Sequence, residues 1–366
     1  MDVLYYENIK KCPFYEPTYK RPGTYFKVQI EGVELEANYE EFSDGKVFIV
    51  RAGRDIKLSH WIHIYTVYKY FESLDQKVDE IIVELENKKY HVRKNELMLK
   101  EKWIKKDIQR LKTKEKEPGS QCRFCTVKEH CHSELLKHNN LLVVPAVSSK
   151  IIEDFREMEI DPVEIVKSNQ IDKFNEQYKK PLYNIMSIVY NKVYKISDIA
   201  IPDNYIIFDV ETYVKRDFLF GYLIDGQYKP FVFHKMNDKR AEEMVNFLYE
   251  SDRYLVHYDS HDVKALMNFA KLYPEHKNKI EHILKKTFDV FELIIKNYSI
   301  PVTSYSLKDI SKYFGFEWRT NLNGYAVIIE YQRYLKGEEE IMKKILDYNE
   351  DDCRSTEVVI EKLRKI

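Results

Sequence analysis

Glycine and proline are scarce in this chain, at 10 and 11 of 366 residues, which excludes collagen-like and linker-like low-complexity architectures. Long apolar runs are missing as well. No stretch reaches the roughly 18 uninterrupted apolar residues that a membrane-spanning helix needs. The opening MDVLYYENIKK has no apolar targeting core, so the expectation is a cytoplasmic protein with no membrane association. Neither sign of charge is in surplus, because 59 basic and 60 acidic residues leave a net charge of −1. Any nucleic-acid binding must therefore come from a local basic face. Cysteine is sparse and odd in number, five in all, which argues against a disulfide framework and for ligation of a metal or cluster.

What the chain does contain is enough to bury: 44% hydrophobic and 33% charged residues describe a soluble globular protein. Its length exceeds one ordinary core and predicts two domains with a segment between them. The richness in Lys, Glu, Ile and Tyr matches the composition of thermophile proteins.

The stretch that organises the rest is Ile206–Thr212, IIFDVET. An apolar, β-branched run leads into Asp209 and Glu211, so a strand delivers two carboxylates to its own end. Strand alternation points both to one face, about 7 Å apart at the Cα level, within reach of a shared cation. Further on, Asp262 in HYDSHD opens a helix that follows a short apolar strand, and YNEDD places Tyr348 and Asp352 four residues apart on one helix face. Asp351 points about 100° away around the helix. Three separated acidic stations, each at an element end, form a donor set of hard oxygens suited to Mg²⁺ or Mn²⁺. His257 and His261 read as structural or substrate-positioning residues.

Toward the N-terminus the pattern is strand, strand, helix, strand, helix. FKVQIEGVELEANYEEF and GKVFIVRAG are joined at Asp44-Gly45, a strong hairpin signal. A helix runs from His60, a second hairpin turns around Asn87-Lys88-Lys89, and a basic amphipathic helix follows; its Lys100–Lys116 stretch is the best candidate for a phosphate-tracking face, and equally reads as a solvated helix. Pro118-Gly119 ends it. Beyond lie Cys122, Cys125 and Cys131 as C-x2-C-x5-C, with Cys12 far upstream. Three thiolates this close read as ligands for zinc or an iron–sulfur cluster, completed by Cys12, or by His130 or His132 for zinc.

That cysteine arrangement resembles the RecB-like nucleases that carry an iron–sulfur cluster, including the CRISPR-associated adaptation exonuclease. The resemblance implies a restriction-endonuclease-like, PD-(D/E)xK domain clamped by a 4Fe-4S cluster on Cys12, Cys122, Cys125 and Cys131. It also implies a metal-binding triplet, which here falls on Ile49-Val50-Arg51, with the preceding acid near Glu34 or Glu36 and with Glu40, Glu41 and Asp44 as substitutes. An isoleucine cannot ligate metal, and Arg51 can only neutralise phosphate, so this domain is expected to be inactive. The segment between the domains shows short helices broken at Pro145, Pro162 and Pro181. It is similar to helix-hairpin-helix-like connectors, and equally to a plain spacer.

FDVET, HYDSHD and YNEDD together resemble the DEDDy exonucleases of the RNase H-like superfamily, the proofreading DnaQ type. SYSLKDISKYFGFEWR and YNEDDCRST are also similar to RecB-family fusions of both modules. The resemblance implies an α/β fold in two domains: 1–138 RecB-like, 139–198 connector, 199–366 RNase H-like exonuclease. It implies Asp209, Glu211, Asp262, Tyr348 and Asp352 as catalytic residues, the four acids holding two Mg²⁺ or Mn²⁺ ions. The expected activity is 3′-5′ hydrolysis of single-stranded DNA ends, with helicase, repair or CRISPR adaptation proteins as partners. An exoribonuclease with the same site and a non-catalytic DNA-end-binding adaptor are the alternatives.

Overall fold

The computed structural model describes residues 22–51, 55–85, 88–111, 118–119, 122, 125, 127–214 and 216–366. Contacts divide the chain into two compact units, Met1–Glu134 and Leu135–Ile366.

In the first unit, β1 (Thr24–Ile30) and β2 (Val33–Tyr39) pair antiparallel, and β3 (Glu41–Ser43), β4 (Lys46–Val50), β5 (Glu80–Glu84) and β6 (Lys89–Arg93) form a four-stranded sheet in that order. Helix α1 (Leu58–Ser73) connects β4 to its parallel neighbour β5, as a parallel pair requires. Helix α2 (Lys94–Arg110) follows β6. The Asp44-Gly45 turn forms as expected, with φ of 48° and 73°, the left-handed pair that Asp-Gly supplies to a tight hairpin. What reads as one long strand before it is itself a hairpin, folded back at Glu31-Gly32 with φ of 51° and 71°. Glu-Gly is a weaker turn signal than Asn-Gly or Asp-Gly, so the break is hidden. The β5–β6 hairpin forms, but Asn87 lies outside the described residues, as does the basic stretch beyond Leu111 up to Lys116.

Two expectations for this unit change. Arg51 faces no solvent: its Nε donates to His63 Nδ1 at 2.8 Å and its Nη2 to Asn38 Oδ1 at 3.0 Å, and the residue is 3% exposed. Glu40 accepts the Val50 N–H at 2.8 Å, Ile49 is core, and Glu34 pairs with Lys27 at the surface. Ile49 and Arg51 are thus packed inside this unit, and Arg51 is not placed to contact phosphate. The cysteines are the second correction. Cys125 packs as an apolar side chain against the core of this unit, and Cys122 Sγ accepts from the Gly119 N–H at 3.4 Å. Cys131 lies on α3 (Lys128–Lys137) with His130 and His132. Among the described residues these groups do not gather as metal ligands, and Cys12 lies outside the described residues. Sequence spacing measures distance along the chain, whereas ligation needs the thiols to converge in space. The iron–sulfur cluster, and zinc in its place, are not supported.

The second unit begins with α4 (Ser149–Glu157), α5 (Pro162–Lys167) and α6 (Glu176–Tyr190). Asp161 caps α5 by accepting from the Val163 N–H at 2.8 Å, and Pro162 takes the first helical position, where no donor is missed. Strand β7 (Tyr194–Lys195) leads into β8 (Tyr205–Tyr213), β9 (Arg216–Ile224) and β10 (Gln227–Val232). Next come α7 (Asp238–Ser251), β11 (Tyr254–His257), α8 (His261–Leu272), α9 (Lys277–Leu284), β12 (Thr287–Asp289) and α10 (Val290–Asn297). β13 (Tyr298–Ser299), α11 (Leu307–Tyr313), α12 (Gly324–Tyr334) and α13 (Ile341–Leu363) complete the chain. The five-stranded sheet runs β10-β9-β8-β11-β12, antiparallel on one side of β8 and parallel on the other. Its two faces carry separate cores: Phe208, Phe220, Tyr222 and Phe269 in one, Ile207, Val256, Ile294 and Ile360 in the other. β8 is central and buried on both faces, which explains its nearly continuous apolar run.

Helix α6 is fastened to this α/β core. Asn184, fully buried, accepts from the hydroxyls of Ser299 and Tyr305, both at 2.7 Å, while Lys180 donates to the carbonyls of Ile294 and Tyr298 near the end of α10. No helix among the described residues is long and apolar enough to cross a membrane.

Candidate metal centre

The site assembles where β8 meets α13. Asp209 and Glu211 project from β8, which runs on to Tyr213 instead of ending at the acids as the sequence suggested, and Asp352 projects from the middle of α13; each offers an oxygen, and the three lie within 4.8 Å of one another. This is the one such cluster of acidic, imidazole or thiol groups among the described residues. Asp209 is partly exposed, whereas Glu211 and Asp352 are buried.

Asp262 stands beside the cluster rather than in it. Strand β11 pairs with β8 only as far as Ile207, and past that point the Val210 N–H is taken by Asp262 Oδ1 at 3.1 Å. The acid lies in the first turn of α8, 3% exposed, where the free N–H groups of the helix favour negative charge. Tyr348, one turn before Asp352 on α13, is buried on the same helix face as the Asp352 carboxylate.

The electrostatics follow from burying like charges together. Burial first, then a neighbouring carboxylate, pushes three acids well above the ordinary range: Asp209 beside Asp352, and Glu211 and Asp262 each beside Asp209. Burial also raises Asp352, from 3.8 to about 6, although the Trp318 hydrogen bond and Lys308 pull the other way. Burial and the Asp352 charge drive the Tyr348 phenol upward, so it remains a hydroxyl. An excess of buried negative charge with only hard oxygen donors fits divalent cations of the Mg²⁺ or Mn²⁺ kind.

Several supporting side chains were not singled out in the sequence. Asn349 Nδ2 donates to Asp209 Oδ2 at 2.6 Å, and its Oδ1 accepts from the Tyr228 hydroxyl at 2.7 Å. A Cβ at Gly221 would overlap Asn349 Oδ1, so only glycine leaves room for this amide. Trp318 Nε1 donates to Asp352 Oδ1 at 3.0 Å, and the Lys308 ammonium lies 5.4 Å from the ring centres of both Trp318 and Tyr348. Asp351 does point away from the cluster: it accepts from Arg319 N and Nε, both at 2.7 Å. Asn349 sits inside YNEDD and Trp318 inside SYSLKDISKYFGFEWR, so the motifs contained them without disclosing their partners.

The two histidines act at the margin. Buried His257 bonds through Nδ1 to the Asp259 carbonyl at 2.7 Å and is held below its usual pKa by burial, while exposed His261 bonds Thr212 Oγ1 at 3.1 Å.

Residues 206–364 match the family model described as RNase_H superfamily. No curated protein and no solved structure matches the chain significantly. The match and the acidic cluster together support an RNase H-like nuclease domain in the C-terminal part of the chain, with metal-binding and nucleic-acid-binding capacity.

Proposed function

We propose that this RNase H-like domain is a metal-dependent 3′-5′ exonuclease acting on single-stranded DNA ends. The observation that carries the reading is the convergence of Asp209, Glu211 and Asp352 within 4.8 Å, with buried Tyr348 one helical turn before Asp352. Asp209, Glu211 and Asp352 would hold the divalent ions, two in number, with Asp262 as the fourth acid beside them. When bound, such a pair lowers the pKa of the attacking water and absorbs the charge on the leaving 3′ oxygen.

The chain's own groups do the positioning. Tyr348, kept as a hydroxyl, orients the attacking water. Asn349 fixes the Asp209 carboxylate and Trp318 that of Asp352, so the donors are set before substrate arrives. The N-terminal residues 1–138 are proposed as a RecB-like domain without cutting activity, consistent with buried Ile49 and the enclosed Arg51, and residues 139–198 as the connector to the exonuclease at 199–366.

The test is a time course on 3′-labelled and 5′-labelled DNA and RNA with Mn²⁺, the parent beside Asp209→Ala. The expected result is stepwise loss from the 3′ end of single-stranded DNA, reduced at least about 10³-fold by the substitution. RNA cleaved in preference to DNA would make the enzyme an exoribonuclease. Binding without cleavage would make it an adaptor, and cleavage persisting in Asp209→Ala would move the cutting to another site.

A further inference from the structure

Strand β8 continues past Asp209 and Glu211 to Tyr213, whose ring meets Tyr331 of α12 edge-on at 5.3 Å. Leu219, the register partner of Glu211, is followed back by Phe218, which stacks on Tyr331 at 3.6 Å with an interplanar angle of 20°. From that buried pair a set of nearly parallel rings extends outward. His234 lies at 14° to Tyr331 and 30° to Tyr334, and Tyr331 lies at 24° to Tyr334. Phe218 and Tyr331 are buried, Tyr334 is partly exposed and His234 is exposed.

His234 is unusually well held for an exposed residue. Its Nδ1 and Nε2 are hydrogen-bonded to the hydroxyls of Tyr331 and Tyr334, each at 3.1 Å. Both edges are therefore fixed and a face is left over. Burial and the charges of Arg216 and Arg240 hold its pKa below the usual value, so the ring is a neutral, flat surface at physiological pH. Arg216 and Arg240 place positive charge around it. An ordered aromatic face costs little entropy on binding, and flanking cations suit a phosphate backbone; together they fit unpaired bases, since a duplex hides its base faces inside the stack.

We propose that His234 and Tyr334 form a base-stacking platform that holds a single-stranded nucleic acid leading to the acidic cluster. The proposal rests on the nuclease reading of that cluster but is tested without cleavage. Stacking on an aromatic side chain is lost when the ring is removed and kept when one flat ring replaces another. Phosphate attraction, in contrast, is indifferent to the bases.

The experiment measures anisotropy of a fluorescein-labelled oligothymidylate of about ten nucleotides, and of an abasic strand of equal length, binding to the full chain in EDTA. The parent should bind the thymidylate about tenfold more tightly than the abasic strand. His234→Ala and Tyr334→Ala should bring that ratio close to one, while His234→Phe should retain most of it. A parent that binds both strands equally overturns the platform, and so does a ratio unchanged in both alanine variants. The parent comparison stands even where a variant fails to fold. Base-dependent binding without 3′ trimming would keep the platform and remove the exonuclease reading; trimming with equal binding of both strands would do the reverse.

Discussion

Asn349 holds the candidate metal centre together from outside the three converging acids. Its amide spans from the Tyr228 hydroxyl to Asp209, and Asn349→Ala should weaken Mn²⁺ binding by about 10–100-fold, read by calorimetric titration. Gly221→Ala should have the same effect, because the added methyl displaces the amide. The acids themselves predict a pH dependence. Their folded pKa values are raised, so the native state holds protons that the unfolded chain releases, and the contribution of this site to stability without metal is greatest at low pH. It should fall as pH rises from the ordinary carboxylate range through about 6, where Asp352 titrates, and beyond as the more strongly raised acids ionise. In EDTA at pH 8, Asp209→Asn should therefore raise the melting temperature by about 2–4 °C, and Mn²⁺ should reverse the ranking of parent and variant. The acids were legible from Asp209, Glu211 and the YNEDD spacing because strand and helix periodicities are local rules. Asn349 and Tyr228 were not, since the contact between them joins positions 121 residues apart.

Among the elements, β8 was the easiest to read. A central strand buried on both faces needs an apolar run, so acids within it are conspicuous. The β1–β2 hairpin was harder, because Glu31-Gly32 interrupts an alternation that otherwise continues on both sides. The cysteine segment misled for a different reason: its pattern was complete in sequence, but the structure uses Cys125 as an apolar side chain. Helix α6 carries a prediction of its own. Asn184→Leu deprives the Ser299 and Tyr305 hydroxyls of their shared acceptor, and should cost about 1–3 kcal/mol in urea unfolding of the C-terminal unit.

At the scale of the whole molecule, the acidic cluster belongs to one of two compact units. Calorimetry should show Mn²⁺ raising only the transition that also responds to Asp209→Asn, with the remaining heat absorption unmoved. Which unit bears the cluster was evident from Asp209 and Asp352; in the other, the enclosure of Arg51 by Asn38 and His63 is announced by no local pattern. Asp262 ties the chemistry to the architecture in a further way. By accepting the Val210 N–H beyond the last β8–β11 pair, it serves as a one-residue extension of the sheet. Alanine at this position thus inflicts two injuries at once, a lost anion and an orphaned donor in mid-sheet, whereas asparagine inflicts only the first. The gap in thermal stability between those two variants is a direct weighing of how much of the site's acidity was recruited to carpentry.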